Sequence, residues 1–387
     1  MTCDLMLCLA GNTDWVYNKF MKRFRISVVF FLCIYCLSCG GGNTDRVKTV
    51  SSQSNLEFTD ANKEKGITIG FSIATATFII ERWNKDLKVF TGAAQQLGAD
   101  VIVQLSAGGV QEQIAQINYL VNQDIDILVV VPHDTELIVD VLRQVKDFGI
   151  PVIAYDRFVH GVALDAFVSF DSREVGRQFG RALSRAVPRG RYIVVNGSIH
   201  DLNSFDVNTG LHDIIDPLVQ RGQIKIVREI WLDEWSFDEA LEKIGMIFDE
   251  TTDFDAISCG NDGIAGAAIQ LLSERRLAGK IAVVGQDADL SACQRIVEGT
   301  QLMTVYKPLG KIGVRAATLA VAIAKKARDK ETEIPVPDIM IDNYSGIKIP
   351  AYLEKITSIY KNNIDDVILD GFHSREDVYR NVEQGDI

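Results

Sequence analysis

Short, continuous apolar runs alternate with longer segments of helical periodicity along the chain from residue 67 onward. In the first half the apolar runs are ITIGFSI, DVIVQLS, DILVVVP and PVIAYD, and helices are expected at about 81–97, 110–122 and 137–147. Strands that are covered by helices on both faces are buried on both sides, so they lack the polar alternation of half-exposed strands. The pattern predicts an α/β fold built on a doubly wound parallel sheet.

The same alternation begins again in the second half of the chain. After AFVSF and a helix that starts near Ser172, the apolar runs are RYIVVNG, IKIVREIWL, DAISCGND, IAVVGQD and LMTVYKP. Two such units predict two Rossmann-like lobes. If the lobes face each other, the carboxyl ends of both sheets surround one cleft, which is where open α/β sheets bind ligands.

The N-terminal region has the pattern of an export signal. From Met21 the chain runs MKRFRISVVFFLCIYCLSCGGG, in which basic residues precede the apolar segment from Ile26 to Leu37. This segment is too short to span a bilayer but fits a signal-peptide core, so we interpret 1–38 as an upstream extension and signal peptide, with Met21 as the native start. Ser38-Cys39 resembles a lipoprotein cleavage site and predicts lipidation of Cys39, with ordinary secretory cleavage as the alternative. The polar segment 39–66 is predicted to be a flexible tether.

Composition narrows the function classes. The chain has 47% hydrophobic residues and a formal net charge of −12 without long runs of one sign, which argues against a nucleic-acid partner. Removal of the signal peptide would leave Cys39, Cys259 and Cys293, and buried free thiols are favoured over a disulfide at the last two. The sequence contains no P-loop, no Gly-x-Gly-x-x-Gly, no His-Glu-x-x-His and no Gly-x-Ser-x-Gly, so we predict no cofactor, no metal and no enzymatic activity.

Several predicted strands end in side chains that form hydrogen bonds. These are Asp156-Arg157, Asn196, Asn261-Asp262, Asp287 and Lys307. A polar residue after a strand is usually a turn former or a helix cap, and we favour capping for Asp262 and Asp289. Taken together, the strand ends supply acceptors and donors to one cleft. A polyol needs both, because each hydroxyl group donates and accepts.

Two tryptophans also follow predicted strands. Trp83 lies in ERWNKD and Trp235 lies in WLDEWSFDEA. Their flat apolar rings could stack on the C–H faces of a sugar, and packing between the lobes is the alternative.

Several motifs in the same order resemble those of the bacterial periplasmic D-xylose-binding proteins, in the ribose and galactose branch of type I solute-binding proteins. They are ERWNKD, IPVIAYDRF, SFDSREVG, GQDADL, GTQLMTVYKP and KNNIDD with DGFHS. The resemblance covers about 67–374. It implies two lobes joined by three hinge segments, with 67–171 and 308–343 in the first lobe, 172–307 and 344–375 in the second, and 376–387 as a tail.

The resemblance also implies which side chains contact a monosaccharide. The implied contacts are Arg82, Trp83, Asp156, Arg157, Asn203, Trp235, Asn261, Asp287 and Lys307. Arg82 and Asn203 come from the resemblance alone, whereas the other seven also follow from the strand-end pattern. Two segments depart from the family pattern, TATFII at Thr75 to Ile80 and the loop from Gly197 to Gly210, where Leu202 replaces an amide. We therefore expect the loop's contacts and the strictness of sugar choice to differ from the pattern.

These features predict a monomeric, extracytoplasmic binding protein for a D-xylose-like monosaccharide, which closes around the sugar and delivers it to an ABC permease. The alternative is a membrane-tethered sensor that presents its bound state to a histidine kinase. The expected location is the periplasm or the outer face of the cell membrane, with an anchor at Cys39.

Overall fold

The computed structural model describes residues 66–74 and 80–382. Several predicted features lie outside the described residues. These are the signal peptide, the lipidation site at Cys39 and nearly all of the tether. Residues 75–79 and 383–387 also lie outside them. Within the described ranges, no helix combines the length and the apolar content that a membrane crossing requires.

The first lobe is built on a seven-stranded sheet with the order β11-β12-β5-β4-β3-β1-β2. Its strands are β1 (Ile67–Ala74), β2 (Ala99–Ser106), β3 (Ile127–Val131), β4 (Val152–Tyr155), β5 (Ala166–Phe170), β11 (Asp338–Ile341) and β12 (Lys348–Glu354). All neighbouring pairs are parallel except β11 with β12.

Helices cover both faces of this sheet. They are α1 (Ile80–Gln96), α2 (Val110–Val121), α3 (Val139–Asp147) and α9 (Leu309–Arg328). Successive residues of β3 point to opposite faces, so Val129 packs with α1 and α9 whereas Leu128 and Val130 pack with α2 and α3. Both sets are buried, so the strand is apolar throughout because helices cover both faces of the sheet, as predicted.

The second lobe is built on a six-stranded sheet with the order β13-β10-β9-β8-β6-β7. Its strands are β6 (Gly190–Ser198), β7 (Ile224–Leu232), β8 (Ala256–Cys259), β9 (Ala282–Gln286), β10 (Met303–Tyr306) and β13 (Thr357–Ile359). Its helices are α4 (Ser172–Ala186), α5 (Leu202–Gln220), α6 (Phe237–Glu250), α7 (Asp262–Glu274), α8 (Leu290–Glu298), α10 (Asp365–Leu369) and α11 (Arg375–Val378). Cys259 and Cys293 are buried free thiols in this lobe, as predicted.

The described chain passes between the two sheets three times, after β5, after β10 and after β12. The last passage differs from the expectation that the second lobe resumes at residue 344. β12 pairs in parallel with β5 in the first sheet, because β11 and β12 form an antiparallel hairpin at the edge of that sheet. The chain therefore crosses between Glu354 and Thr357. The start of the predicted tail also differs, since Val378 of α11 is buried against the second lobe.

Candidate functional site

The nine predicted contact residues line a single cleft between the two lobes. This cleft has about 360 Å³ of empty space, part of it open to solvent. It is lined by Arg82, Trp83, Asp156, Arg157, Asp201, Asn203, Trp235, Asn261, Gln286, Asp287 and Lys307. The two additional residues, Asp201 and Gln286, were not among the predicted contacts.

Asp156 and Arg157 follow β4 in a conformation that turns their side chains to different partners. Asp156 has a left-handed backbone with φ of 66°, and its N–H donates to the carbonyl of Val168 on β5 at 2.8 Å. Its carboxylate pairs with Arg82, whereas Nε of Arg157 lies 2.8 Å from Oδ2 of Asp201 in the second lobe. The adjacent opposite charges therefore have separate partners.

Asp287 occupies the corresponding position after β9 in the second lobe. Its φ is 98°, and its N–H donates to the carbonyl of Val305 on β10 at 2.9 Å. Its Oδ1 lies 3.2 Å from Nζ of Lys307 and 3.4 Å from Nη1 of Arg82. Non-glycine residues in this backbone region are uncommon and concentrate at functional sites.

Positive and negative side chains are balanced in number in the cleft. Burial lowers the pKa of Arg82, but the carboxylates of Asp156, Asp287 and Asp86 outweigh burial and hold this pKa above its ordinary value. Burial raises the pKa of Asp156, but the cations around it, Arg82 foremost, hold the pKa below its ordinary value. The lining contains three cations and three carboxylates, which suits a neutral ligand with many hydroxyl groups.

Two indole rings complete the walls of the cleft. Trp83 is 2% exposed, and the guanidinium of Arg82 lies over its ring at 4.7 Å. Nε1 of Trp235 donates to Oδ2 of Asp201 at 3.0 Å. The ring of Trp235 lies against Gly197, where an added Cβ would be only 2.2 Å from the ring, so any larger residue there would displace the ring.

The amides of the cleft have structural partners as well. Nδ2 of Asn203 donates across the lobes to the carbonyl of Asp156 at 3.0 Å. Oδ1 of Asn261 accepts from the N–H of Ile264 at 2.9 Å and so caps α7. The capping predicted for Asp262 is therefore wrong, because Asn261 already occupies the cap position.

Two other expectations at the strand ends also need correction. Asp289 stands at the cap position of α8, but its side chain makes no capping hydrogen bond. Asn196 does not line the cleft, because β6 continues to Ser198 and the Asn196 amide donates instead to Glu229 at 3.1 Å.

Asp201 was missed because its position in the sequence is that of an ordinary helix cap. It does cap α5, since its carboxylate accepts from the N–H of Asn203 at 3.0 Å. The same carboxylate contacts Arg157 and Trp235, which no sequence spacing indicates. Gln286 was missed because it is the last residue of β9, where a polar side chain has no distinctive pattern.

Two α/β lobes that are joined by three crossings and enclose one polar cleft define the class of two-lobe ligand-binding proteins. The family model of the periplasmic binding protein domain matches residues 70–328. This chain therefore belongs to the periplasmic binding protein family, of type I architecture.

Two relatives narrow the comparison further. A protein named D-xylose-binding periplasmic protein from Haemophilus influenzae is 38% identical over 83% of this chain and 95% of its own length. The protein of the same name from Escherichia coli is 37% identical over 81% of this chain and 93% of its own length. The resemblance inferred from the motifs is thus confirmed over most of the chain.

Solved structures confirm the fold. A carbohydrate transporter solute binding protein from Chloroflexus aurantiacus, in complex with D-glucose, superposes with a TM-score of 0.72 at 23% identity. The superposition covers 81% of this chain and 98% of that chain. At this level of identity the similarity concerns the two-lobe architecture alone.

Proposed function

We propose that this protein binds D-xylose or a closely similar monosaccharide between its lobes. The observation that carries the proposal is the convergence of nine side chains, from helices, strand ends and loops of both lobes, on one cleft. Relatives that share 37 to 38% of their residues with this chain are named for D-xylose binding. The pentose is therefore the first ligand to test.

The chemistry of the cleft supports a sugar. Nη1 of Arg157 donates to the carbonyl of Pro132 at 2.9 Å, and its Nε faces Asp201, so the guanidinium is held in one orientation. A fixed guanidinium can donate to adjacent hydroxyl oxygens, while Asp156 and Asp287 accept from hydroxyl groups. Trp83 and Trp235 supply flat apolar surfaces for the ring.

Closure follows from the position of these groups. A sugar that contacts Asp156 and Arg157 in one lobe and Asp287 in the other stabilises the arrangement in which the lobes are close together. We propose that an ABC permease recognises this arrangement and receives the sugar. The alternative role as a sensor for a kinase is not favoured, because the relatives matched over most of the chain are named as periplasmic sugar-binding proteins.

The periplasmic homologues indicate a periplasmic location, and we propose that a lipid on Cys39 anchors the chain to a membrane facing that space. Replacement by Cys39→Ser should release the protein into the soluble periplasmic fraction. Recovery of the wild-type protein in the same soluble fraction would contradict the anchor.

A panel of sugars tests the binding function. Thermal unfolding of the purified protein is measured with D-xylose, D-ribose, L-arabinose or D-glucose added. Each sugar that stabilises the protein is then titrated calorimetrically. A ligand at 100 times its Kd stabilises a protein by about 2.7 kcal/mol. We expect the largest stabilisation with D-xylose. The absence of stabilisation by every sugar would overturn the proposal, and product formation from xylosides would contradict the inference that the site only binds.

A further inference from the structure

A buried acid and a phenol lie directly behind the cleft and do not line it. Asp86 on α1 and Tyr155 at the end of β4 are both 0% exposed. The hydroxyl of Tyr155 donates to Oδ1 of Asp86 at 2.5 Å. The other oxygen of Asp86, Oδ2, lies 3.7 Å from Nε of Arg82, one helical turn away.

Both atoms of this 3.7 Å pair have unused hydrogen-bonding capacity. Among the described residues, neither Nε of Arg82 nor Oδ2 of Asp86 has a hydrogen-bond partner, although both are buried. A buried polar atom without a partner costs free energy, and a buried carboxylate costs more. Tyr155 packs in an apolar core that includes Phe71 and Phe90, so Oδ1 of Asp86 satisfies its hydroxyl group and Oδ2 is left facing Arg82.

Arg82 competes with a ligand for the acceptors of the cleft. Its guanidinium pairs with Asp156 in the first lobe and with Asp287 in the second. The guanidinium contacts Oδ1 of both carboxylates, so a hydroxyl group that uses either of these oxygens competes with Arg82 for it. When a sugar hydroxyl takes one of these Oδ1 atoms, the arginine gives up that contact, and a further carboxylate nearby keeps it paired.

We propose that Asp86, supported by Tyr155, is a positioning residue that draws Arg82 back from Asp156 and Asp287 and so frees them for the sugar. This inference rests on the proposed function, since it explains how the same cleft accepts its ligand. Asp86 acts only through Arg82 and does not touch the sugar.

Ionisation of Asp86 decides whether it can act in this way. Burial raises the pKa of Asp86 to about 7, although Arg82 and the hydrogen bond from Tyr155 oppose the increase and the carboxylates of Asp156 and Asp287 add to it. The pKa of Tyr155 is raised well above its ordinary value by burial and by Asp86, so the phenol stays a donor. Asp86 holds Arg82 above pH 7 and loses its charge below it.

The sign of the pH effect follows by linkage. If the ionised form of Asp86 favours sugar binding, then the sugar favours the ionised form, and binding near pH 7 releases protons. Affinity for D-xylose should then fall as the pH is lowered through 7. A fall of about tenfold corresponds to a change of one unit in the pKa of Asp86 on binding.

The test is calorimetric titration of the intact protein with D-xylose between pH 5.5 and 8.5, in phosphate and in Tris, whose ionisation enthalpies differ. For the wild-type protein we expect affinity about fivefold lower at pH 6 than at pH 8 for a one-unit change in this pKa, with proton release near pH 7. Asp86→Asn should bind weakly at every pH and release no protons. The control Asp140→Asn, whose side chain is 88% exposed on the same lobe, should behave as the wild-type protein does.

A second variant separates positioning from a purely structural role. Tyr155→Phe removes a hydrogen bond that favours the charged form of Asp86, so the midpoint of the pH profile should move to higher pH while affinity at pH 8.5 stays near that of the wild-type protein. The inference is overturned if Asp86→Asn keeps the affinity and pH profile of the wild-type protein, or if Tyr155→Phe leaves the midpoint unchanged. Failure of the wild-type protein to bind any tested sugar would instead overturn the proposed function itself.

Discussion

The two lobes present an aspartate to the cleft with the same backbone geometry but in different electrostatic settings. Asp156 follows β4 with φ of 66° and donates its N–H to β5, and Asp287 follows β9 with φ of 98° and donates its N–H to β10. The next residue differs between the lobes. Arg157 follows Asp156, whereas the fully buried Ala288 follows Asp287.

This difference extends to the whole cleft. The first lobe contributes the guanidinium groups of Arg82 and Arg157, and the second lobe contributes the carboxylates of Asp201 and Asp287 that face them. Both lobes thus have an aspartate with positive φ at the end of a strand, and each such residue costs about 1 to 3 kcal/mol of stability. The distribution of charge therefore makes the two lobes complementary across the cleft.

The largest effect is expected from removal of the second-lobe aspartate. Asp287→Ala leaves Lys307 and part of Arg82 without their carboxylate partner in a largely buried site. We expect the affinity for D-xylose to fall about a hundredfold, since loss of one partner of a buried charged pair costs about 2 to 5 kcal/mol. Calorimetric titration measures this.

The matched control for this variant is Asp249→Ala in the same lobe. The side chain of Asp249 is 79% exposed and pairs with Arg275 at the surface. Exposed ion pairs contribute little, so this variant should keep the affinity of the wild-type protein. An equal loss in both variants would contradict a specific role for Asp287.

A smaller effect is expected from displacement of the second-lobe tryptophan. In Gly197→Ala the added methyl group would meet the ring of Trp235, which must then move away from Asp201. We expect about tenfold weaker binding, of the order of a lost aromatic contact and hydrogen bond. Titration with D-xylose, monitored by tryptophan fluorescence, would detect both the weaker binding and the displacement of the Trp235 ring.

Gly245→Ala serves as the control for the glycine variant. Gly245 lies in α6 of the same lobe, and an added Cβ there would meet nothing within 4 Å. This variant should bind as the wild-type protein does. Unchanged binding by Gly197→Ala would show that the close fit at Trp235 does not matter for the ligand.

The smallest expected effect concerns stability and compares the buried acids of the two lobes. Burial raises the pKa of Asp86 to about 7 and raises that of Asp262 in the second lobe well above its ordinary value. The folded protein then binds more protons than the unfolded chain from about pH 4 upward, so these groups lower stability as the pH rises to 7 and beyond. Asp86→Asn should reduce this loss without abolishing it, because Asp262 remains.

Chemical denaturation at pH 5 and pH 8 measures the stability prediction. From pH 5 to pH 8, the free energy of unfolding should fall less in Asp86→Asn than in the wild-type protein. An identical difference in both proteins would contradict the raised pKa of Asp86 in the folded state.

The sequence was sufficient for the fold and for those cleft-lining residues that follow a strand. Asp156, Arg157, Asn261, Asp287 and Lys307 occupy strand ends that parallel topology brings to one edge of each sheet. The strand β12 was assigned to the wrong lobe, because short strands near the edge of a sheet have no sequence pattern that indicates which strand they pair with.

The remaining cleft residues depend on distant contacts. Asp201 is a helix cap in the sequence and becomes a partner of Arg157 only when the lobes approach each other. Asp86 is one polar position on an amphipathic helix, and its burial behind Arg82 is determined by packing against β4. Arg82 itself, which contacts both lobes, could be found only through the family resemblance.

Titration of Arg157→Ala with D-xylose is the sharpest test of whether residues of both lobes hold one sugar. The guanidinium joins the first lobe to Asp201 of the second and is oriented by Pro132, so its loss removes hydrogen bonds to the sugar and a contact between the lobes. We predict at least about a tenfold loss of affinity, equal to about 1.4 kcal/mol, with an unchanged cooperative thermal transition. Nearly unchanged affinity in a folded Arg157→Ala protein would contradict the placement of the sugar in this cleft.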